Sequence, residues 1–250
     1  MTPGAIVRLA ILILLLAFLL APQSFAPVFA PLTRFGAPPI YNQGSLLDIT
    51  LSHLWITFLA TLASTIVAVG LSILVTRPFG KEFLSLSRSL ANVGQTFPPV
   101  AVLALAVPVL GFGTEPTLIA LFLYGLLPIF ENALTGLTNV PRDVDEAARG
   151  MGMTGWQRLV GVELPLALPV ILSGIRVAAV ISLATATIGS TVAARTLGEV
   201  IIAGLTTSNT AFVLQGGLIV GILAVLLSDA LSALERLLAR RAGLTRRAEA

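Results

Sequence analysis

EAARGMGMTGWQRLVGVELP, residues 146–165, is the stretch on which the fold turns. Pro141 suits the first position of a helix, and Asp143, Asp145 and Glu146 put carboxylates in the opening turn, where the helix dipole favours them. Gly152 can take the left-handed conformation that stops a helix, and Thr154 with Gln157 three residues on is a capping box that starts another. The segment 141–165 therefore reads as helix, tight turn, helix. Ala147, Ala148, Met151, Met153, Trp156 and Leu159 are more apolar than a solvated turn requires, and the paired alanines let another surface approach the backbone closely. Such a hairpin is a docking element.

The rest of the chain says where that element sits. Hydrophobic residues make up 56% and charged residues 11% of the 250, against about 25% charged in a soluble domain. The composition is that of an all-α integral membrane protein. At about 20 apolar residues per helical span, the length accommodates about six spans with short connections and no separate soluble catalytic domain. Cysteine is absent and His53 is the single histidine, so disulfides, thiolate chemistry, a metal cluster and a cofactor are not expected.

In order, an apolar run Ala5–Ala21 is followed by an Ala/Pro-rich stretch to Pro31, read as a retained span with a cleaved signal peptide as the competing reading. Residues 31–50 read as a polar extracytoplasmic loop, closing an N-terminal region 1–50. A transmembrane core including the hairpin 141–165 then occupies 51–235. Its second span, about Leu51–Thr76, repeats small residues at i+4 (Ala60, Ser64, Ala68, Ser72), a face for close helix packing. The third, about Ala91–Leu110, holds Pro98, Pro99 and Pro108, and a broken helix is tolerated in a membrane only where protein or a water-filled cavity satisfies the freed backbone. Gln95, Pro98 and Pro99 are accordingly candidate pathway residues.

The fourth span, Thr117–Leu137, leads into the hairpin. The fifth runs from Pro165 to about Thr191 with a second small stripe, Gly174, Ala178, Ser182, Ala186 and Ser190. Thr185, Thr187, Ser190 and Thr191 add hydroxyls that either line an aqueous route or bond between helices. The sixth, about Phe212–Leu234, carries Gly217 and Gly221 in G-x-x-x-G spacing, a packing signature. Residues 236–250 form an arginine-rich tail.

Charge orients these spans. With the N-terminus in the cytoplasm, twelve of the 15 basic residues fall inside, among them Arg77, Lys81, Arg88, Arg142, Arg149, Arg158 and five tail arginines; only Arg34 and Arg195 fall outside, and Arg176 lies within a span. The positive-inside rule thus puts the hairpin and both termini in the cytoplasm. Glu131 and Arg176 need partners within the membrane and are candidates to pair with each other, or to snorkel. Tyr41 and Trp55 can offer aromatic faces to a quaternary ammonium ion, with an interfacial anchor the alternative for Trp55. His53 is a weak candidate for a pH-sensitive group.

The hairpin resembles the EAA loop of ABC-importer permeases: Glu146-Ala147-Ala148, Gly152 six residues after the Glu, Val162, and Leu164-Pro165. Gln95-Thr96-Phe97-Pro98-Pro99, Gly111-Phe112-Gly113, Arg149-Gly150-Met151-Gly152-Met153 and Gly174-Ile175-Arg176 are similar to the osmoprotectant branch of that family, and the resemblance covers roughly Ser45–Arg236. It implies a type I ABC-importer permease core in the inner membrane, with an ATPase subunit docking on Glu146, Ala147, Ala148, Gly152, Trp156, Leu164 and Pro165. It also implies an extracytoplasmic substrate-binding protein and a second permease, identical or homologous. Leu197-Gly198 matches the end of a family Gly-rich segment, but Ala193-Ala194-Arg195-Thr196 replaces most of its glycines.

No G-x-x-x-x-G-K-[ST] phosphate loop is present, since Gly80-Lys81 is followed by Glu82. ATP hydrolysis is therefore expected on a separate subunit and the chain is not expected to be an enzyme. The leading expectation is a permease for glycine betaine or a related quaternary amine; amino acids are the alternative solute, and a secondary transporter or a membrane scaffold the alternative classes.

Overall fold

A computed structural model describes residues 3–34 and 36–241; Arg246 and Arg247 of the expected tail lie outside them. Among the described residues every regular element is helical. In chain order the main helices are α1 (Pro3–Leu20), α2 (Leu46–Thr76), α3 (Leu84–Thr96), α4 (Pro99–Leu110), α5 (Thr114–Thr138), α6 (Arg142–Gly150), α7 (Gly155–Val192), α8 (Gly198–Thr206) and α9 (Thr210–Arg241). Four of these, α2, α5, α7 and α9, are long and apolar enough to cross a membrane alone. The count reaches six if two bent pairs each make one span: α1 with the short turns Pro22–Leu32, bent by 111°, and α3 with α4. Fusions of a topology reporter after Arg34, Gly113 and Ser208 should report outside, and those after Arg88 and Arg158 inside; an inside signal after Gly113 would reject the six-span arrangement.

Contacts divide the described chain into two units, one formed by the chain up to Ala60, Pro98–Leu121 and Val180–Leu227, the other by Thr61–Phe97, Phe122–Ala179 and Ser228 onward. In the first, Leu15, Phe18 and Leu19 of α1 share a buried cluster with Phe29, Leu46 and Ile219. Within the expected loop 31–50, helix α2 already begins at Leu46, and Ile40 and Tyr41 ahead of it are buried. Two α9-side amides hold that segment down: Asn209 donates to the Pro38 carbonyl at 2.9 Å, and Gln215 donates to Pro39 at 2.7 Å while accepting from the Tyr41 N–H at 3.1 Å. Tyr41 is buried and meets Phe212 in a T-shaped contact, so its face is not available to a cation. Burial and the Glu199 carboxylate push its hydroxyl up to about 12, so it stays protonated and donates to Glu199 at 3.3 Å. Trp55 is exposed and stacks on Phe58, consistent with an interfacial anchor.

In the second unit the small stripes do what their spacing predicts. Ser64, Ala68 and Ser72 are fully buried, with Ser64 donating to the Phe122 carbonyl at 2.8 Å and Ser72 to that of Phe130 at 3.1 Å. Ala178 is buried in the same cluster as Ala68, Ile129 and Phe130. Backbones approach so closely that a Cβ on Gly174 would sit 2.8 Å from the Pro128 carbonyl oxygen. The expected G-x-x-x-G packing of the sixth span is different: Gly217 and Gly221 face open space, and their neighbour Gly216 is the glycine that packs, against Ile201 and the Leu197 carbonyl. The arginine-rich segment from residue 236 starts within α9, which continues to Arg241.

Candidate functional site

The hairpin closes through local hydrogen bonds. Pro141 caps α6 from outside rather than occupying its first turn, and Asp143 and Asp145 are the first-turn acids; Glu146 lies beyond them, a correction to its expected dipole role. At the other end Gly152 has φ +77°, Gly152 N–H bonds Arg149 at 2.9 Å and Met153 N–H bonds Ala148 at 3.2 Å, which together form a Schellman stop. Thr154 and Gln157 make both bonds of the capping box, at 2.8 and 3.3 Å. Asp145 then bridges the two legs, bonding Arg149 at 2.9 Å and Arg158 at 3.1 Å.

The second leg does not end at Leu164-Pro165, as the 141–165 boundary supposed. It widens into a π-helical turn at Leu159–Glu163, where Leu164 N–H reaches back to the Leu159 carbonyl, and runs on as one 38-residue helix to Val192. The wider turn accommodates the ring and missing donor of Pro165, which would clash with the carbonyl four residues back in a regular helix. Leu159, Ala167 and Ile171 are buried with Ala133 and Leu137 of α5, anchoring the base.

The hairpin's residues divide into two faces. Ala148 packs inward at 2% exposure, so only Ala147 of the alanine pair is open. Outward face Glu146, Ala147, Gly152 and Pro165, with Met151 at 74% and Trp156 at 73% exposure. Met151, Gly152, Met153, Trp156, Gln157 and Val160 line a shallow hollow. Leu164 is half-buried. An exposed Trp and Met beside a left-handed glycine form an unfilled apolar contact surface on a rigid, locally self-satisfied frame.

The candidate pathway residues lie at or beside irregularities in the helices. Pro128 removes the N–H that would bond the Tyr124 carbonyl, and Gln95 supplies a replacement at 3.1 Å. Where the chain breaks between α3 and α4, the Tyr124 hydroxyl donates to the Phe97 carbonyl at 2.7 Å. Pro98 and Pro99 do interrupt the helix, with Pro98 extended as the cap of α4. That helix neighbours the 3-10 segment Ala186–Val192 at the end of α7. There Thr187 and Thr191 bond back to Ala184 and Ile188 of their own helix at 2.8 and 2.7 Å, and Ser190 bonds Thr196 at 2.7 Å; Thr185 is half-buried.

The altered Gly-rich segment keeps its shape. Ala193 adopts φ +64° at a position the family resemblance would give to glycine, a conformation that costs roughly 1–2 kcal/mol with a side chain present. Gly198 is indispensable, because a Cβ there would lie 1.8 Å from the Thr187 carbonyl oxygen. His53 braces this region: fully buried, it meets the Leu183 carbonyl through Nε2 at 2.9 Å and accepts the Leu197 N–H on Nδ1 at 3.3 Å. Its role is therefore structural.

Among the described residues, the charged groups pair otherwise than expected. Glu131 is held by Arg88 at 2.6 Å and Arg176 by Glu235 at 3.4 Å, so the two do not meet. The pair that sequence reading missed is Arg77 with Glu163, which joins the residue after α2 to the π turn of the hairpin's second leg. The signal was available: a carboxylate within the apolar run 159–172 must find a cation. Tyr124 carried a similar signal, a polar tip amid a span.

The profile of the binding-protein-dependent transport system inner membrane component family matches residues 68–243, taking in both legs of the hairpin and the helix that leaves it. The chain belongs to that family. As such an inner membrane component it is a multi-pass transport permease. Over 191 residues it is 40% identical to the osmoprotectant import permease protein OsmY of Salmonella typhimurium, covering 76% of this chain and 81% of that one. It is 37% identical over 195 residues to the glycine betaine/carnitine/choline transport system permease protein OpuCB of Bacillus subtilis, covering 78% and 89%. Among solved structures, the inward-facing MetNI methionine ABC transporter matches with a TM-score of 0.67 at 21% identity, over 77% of this chain and 95% of that one. An amino acid ABC transporter with histidines matches at 0.64 and 19%, over 87% and 97%. The fold of this inner membrane component is thus that of ABC-importer permeases.

Proposed function

We propose that the chain is the translocating subunit of an ABC importer for an osmoprotectant such as glycine betaine or a related quaternary amine. The observation that carries the coupling is the outward face of the hairpin, Met151 and Trp156 exposed on a frame whose own hydrogen bonds are complete. An ATPase subunit docks there. Because the second leg is one helix to Val192, displacement of Trp156 on ATP-driven closure of two ATPases is delivered along a helix, not dissipated in a loop. Two permeases, identical or homologous, would rock between inward-open and outward-open states, and an extracytoplasmic binding protein would deliver the solute.

The solute class rests on the relatives named for osmoprotectants, glycine betaine, carnitine and choline. The amino-acid reading has only likeness of fold behind it. Chemistry agrees with a compact zwitterion or diffuse cation: the candidate pathway residues Gln95, Thr185, Thr187 and Ser190 carry hydroxyls and an amide and no fixed charge. A secondary transporter would need a free intramembrane acid, and Glu131 is engaged by Arg88. Reconstituted with ATPase and binding protein, the complex should take up glycine betaine in an ATP-dependent way, with excess unlabelled choline or carnitine competing. Uptake of an ordinary amino acid that no quaternary amine inhibits would overturn the solute and leave the importer standing.

A further inference from the structure

A cavity of about 790 Å³ lies between the hairpin and the adjoining ends of α2 and α5, on residues that, Glu146 apart, the docking face does not use. Arg77, Lys81, Arg142, Arg149 and Arg158 line it, against the carboxylates of Asp145, Glu146 and Glu163, an excess of two positive charges. Asp145 is taken by Arg149 and Arg158, and Glu163 by Arg77. Among the described residues Lys81 and Arg142 form no ion pair, and both are exposed. Lys81 and Arg142 thus line a space in which two of the three carboxylates are already paired.

The remaining lining is apolar, Val75, Leu84, Leu134, Leu137 and Val140. Beside Lys81, Phe79 is 73% and Phe83 52% exposed, aromatic side chains of the kind that settle at a membrane interface. A free inorganic anion makes no use of that apolar surface, whereas a phosphodiester carrying glycerol and acyl chains does. We propose that this cavity is a binding site for the headgroup of an anionic phospholipid, its phosphate oxygens accepting from Lys81 and Arg142. Basic pockets at the cytoplasmic ends of spans are suited to such headgroups. The site is independent of the coupling and solute readings above.

The test uses the full-length permease in detergent, mixed with dioctanoyl phosphatidylglycerol, dioctanoyl phosphatidylcholine or inorganic phosphate, with bound adducts measured by native mass spectrometry. Phosphatidylglycerol should bind at least about tenfold more tightly than phosphatidylcholine. A Lys81→Gln, Arg142→Gln double variant should lose roughly 25-fold in that affinity, at about fivefold per basic side chain, while its circular dichroism and thermal midpoint stay those of the wild type. Three results would overturn the proposal: equal affinity in the variant, no preference over phosphatidylcholine, or inorganic phosphate bound as tightly as the lipid.

Discussion

Trp156→Ala should leave the permease inserted, folded and as stable as the wild type, yet unable to hold its ATPase. The side chain is 73% exposed, so its removal opens no cavity and breaks no hydrogen bond of the hairpin. In a complex, a Trp seated in a partner's pocket is the residue type most often found to dominate an interface, and truncation typically costs about 2–4 kcal/mol, roughly 30- to 1,000-fold in affinity. Co-purification with the ATPase should fall by that order and ATP-coupled uptake with it, while solute still reaches the binding protein. Retention of the ATPase at wild-type strength would remove the outward face from the coupling mechanism. Gly152→Val is a complementary probe. Nothing lies within 4 Å of its missing Cβ, so any effect comes from forcing a β-branched residue to φ +77°, and docking should weaken through a displaced turn.

Glu163→Ala should destabilise the protein by about 3–5 kcal/mol, the usual cost of removing one partner of a buried ion pair. Arg77 and Glu163 are 18% and 11% exposed, and the Arg77 Nε already lacks an acceptor, so the abandoned guanidinium keeps the Thr76 hydroxyl but no carboxylate. A Glu163→Leu, Arg77→Met double variant should recover much of the loss, because it removes the unpaired charge as well as the pair. The midpoint of unfolding in an SDS titration reads both. An unchanged midpoint for Glu163→Ala would show that the pair contributes nothing to the join between α2 and the hairpin. A double variant as unstable as the single would locate the cost in lost packing.

What could be read along the chain was whatever is settled within a turn or two of helix. The Schellman stop at Gly152, the capping box of Thr154 and Gln157, the break at Pro98, the membrane-length apolar runs and the small stripes of α2 and α7 depend on neighbours four or five residues away, and all stand in the structure. The family followed from the same local pattern, since the hairpin's spacing is itself a short-range feature.

Tertiary structure decided which groups meet. Successive helical residues point about 100° apart, so the rotation of α9 about its axis decides whether Gly216 or Gly217 lies at the contact, and sequence does not record that rotation. The same freedom separated Glu131 from Arg176 and gave them Arg88 and Glu235 instead. It turned Ala148 inward while Ala147 stayed open, assigned Gln95 to a carbonyl orphaned by Pro128, and folded Tyr41 under Gln215 and Glu199. Each of these outcomes is set by packing between helices far apart in sequence, where burial requires every polar group to find some partner but leaves the choice of partner to the three-dimensional arrangement.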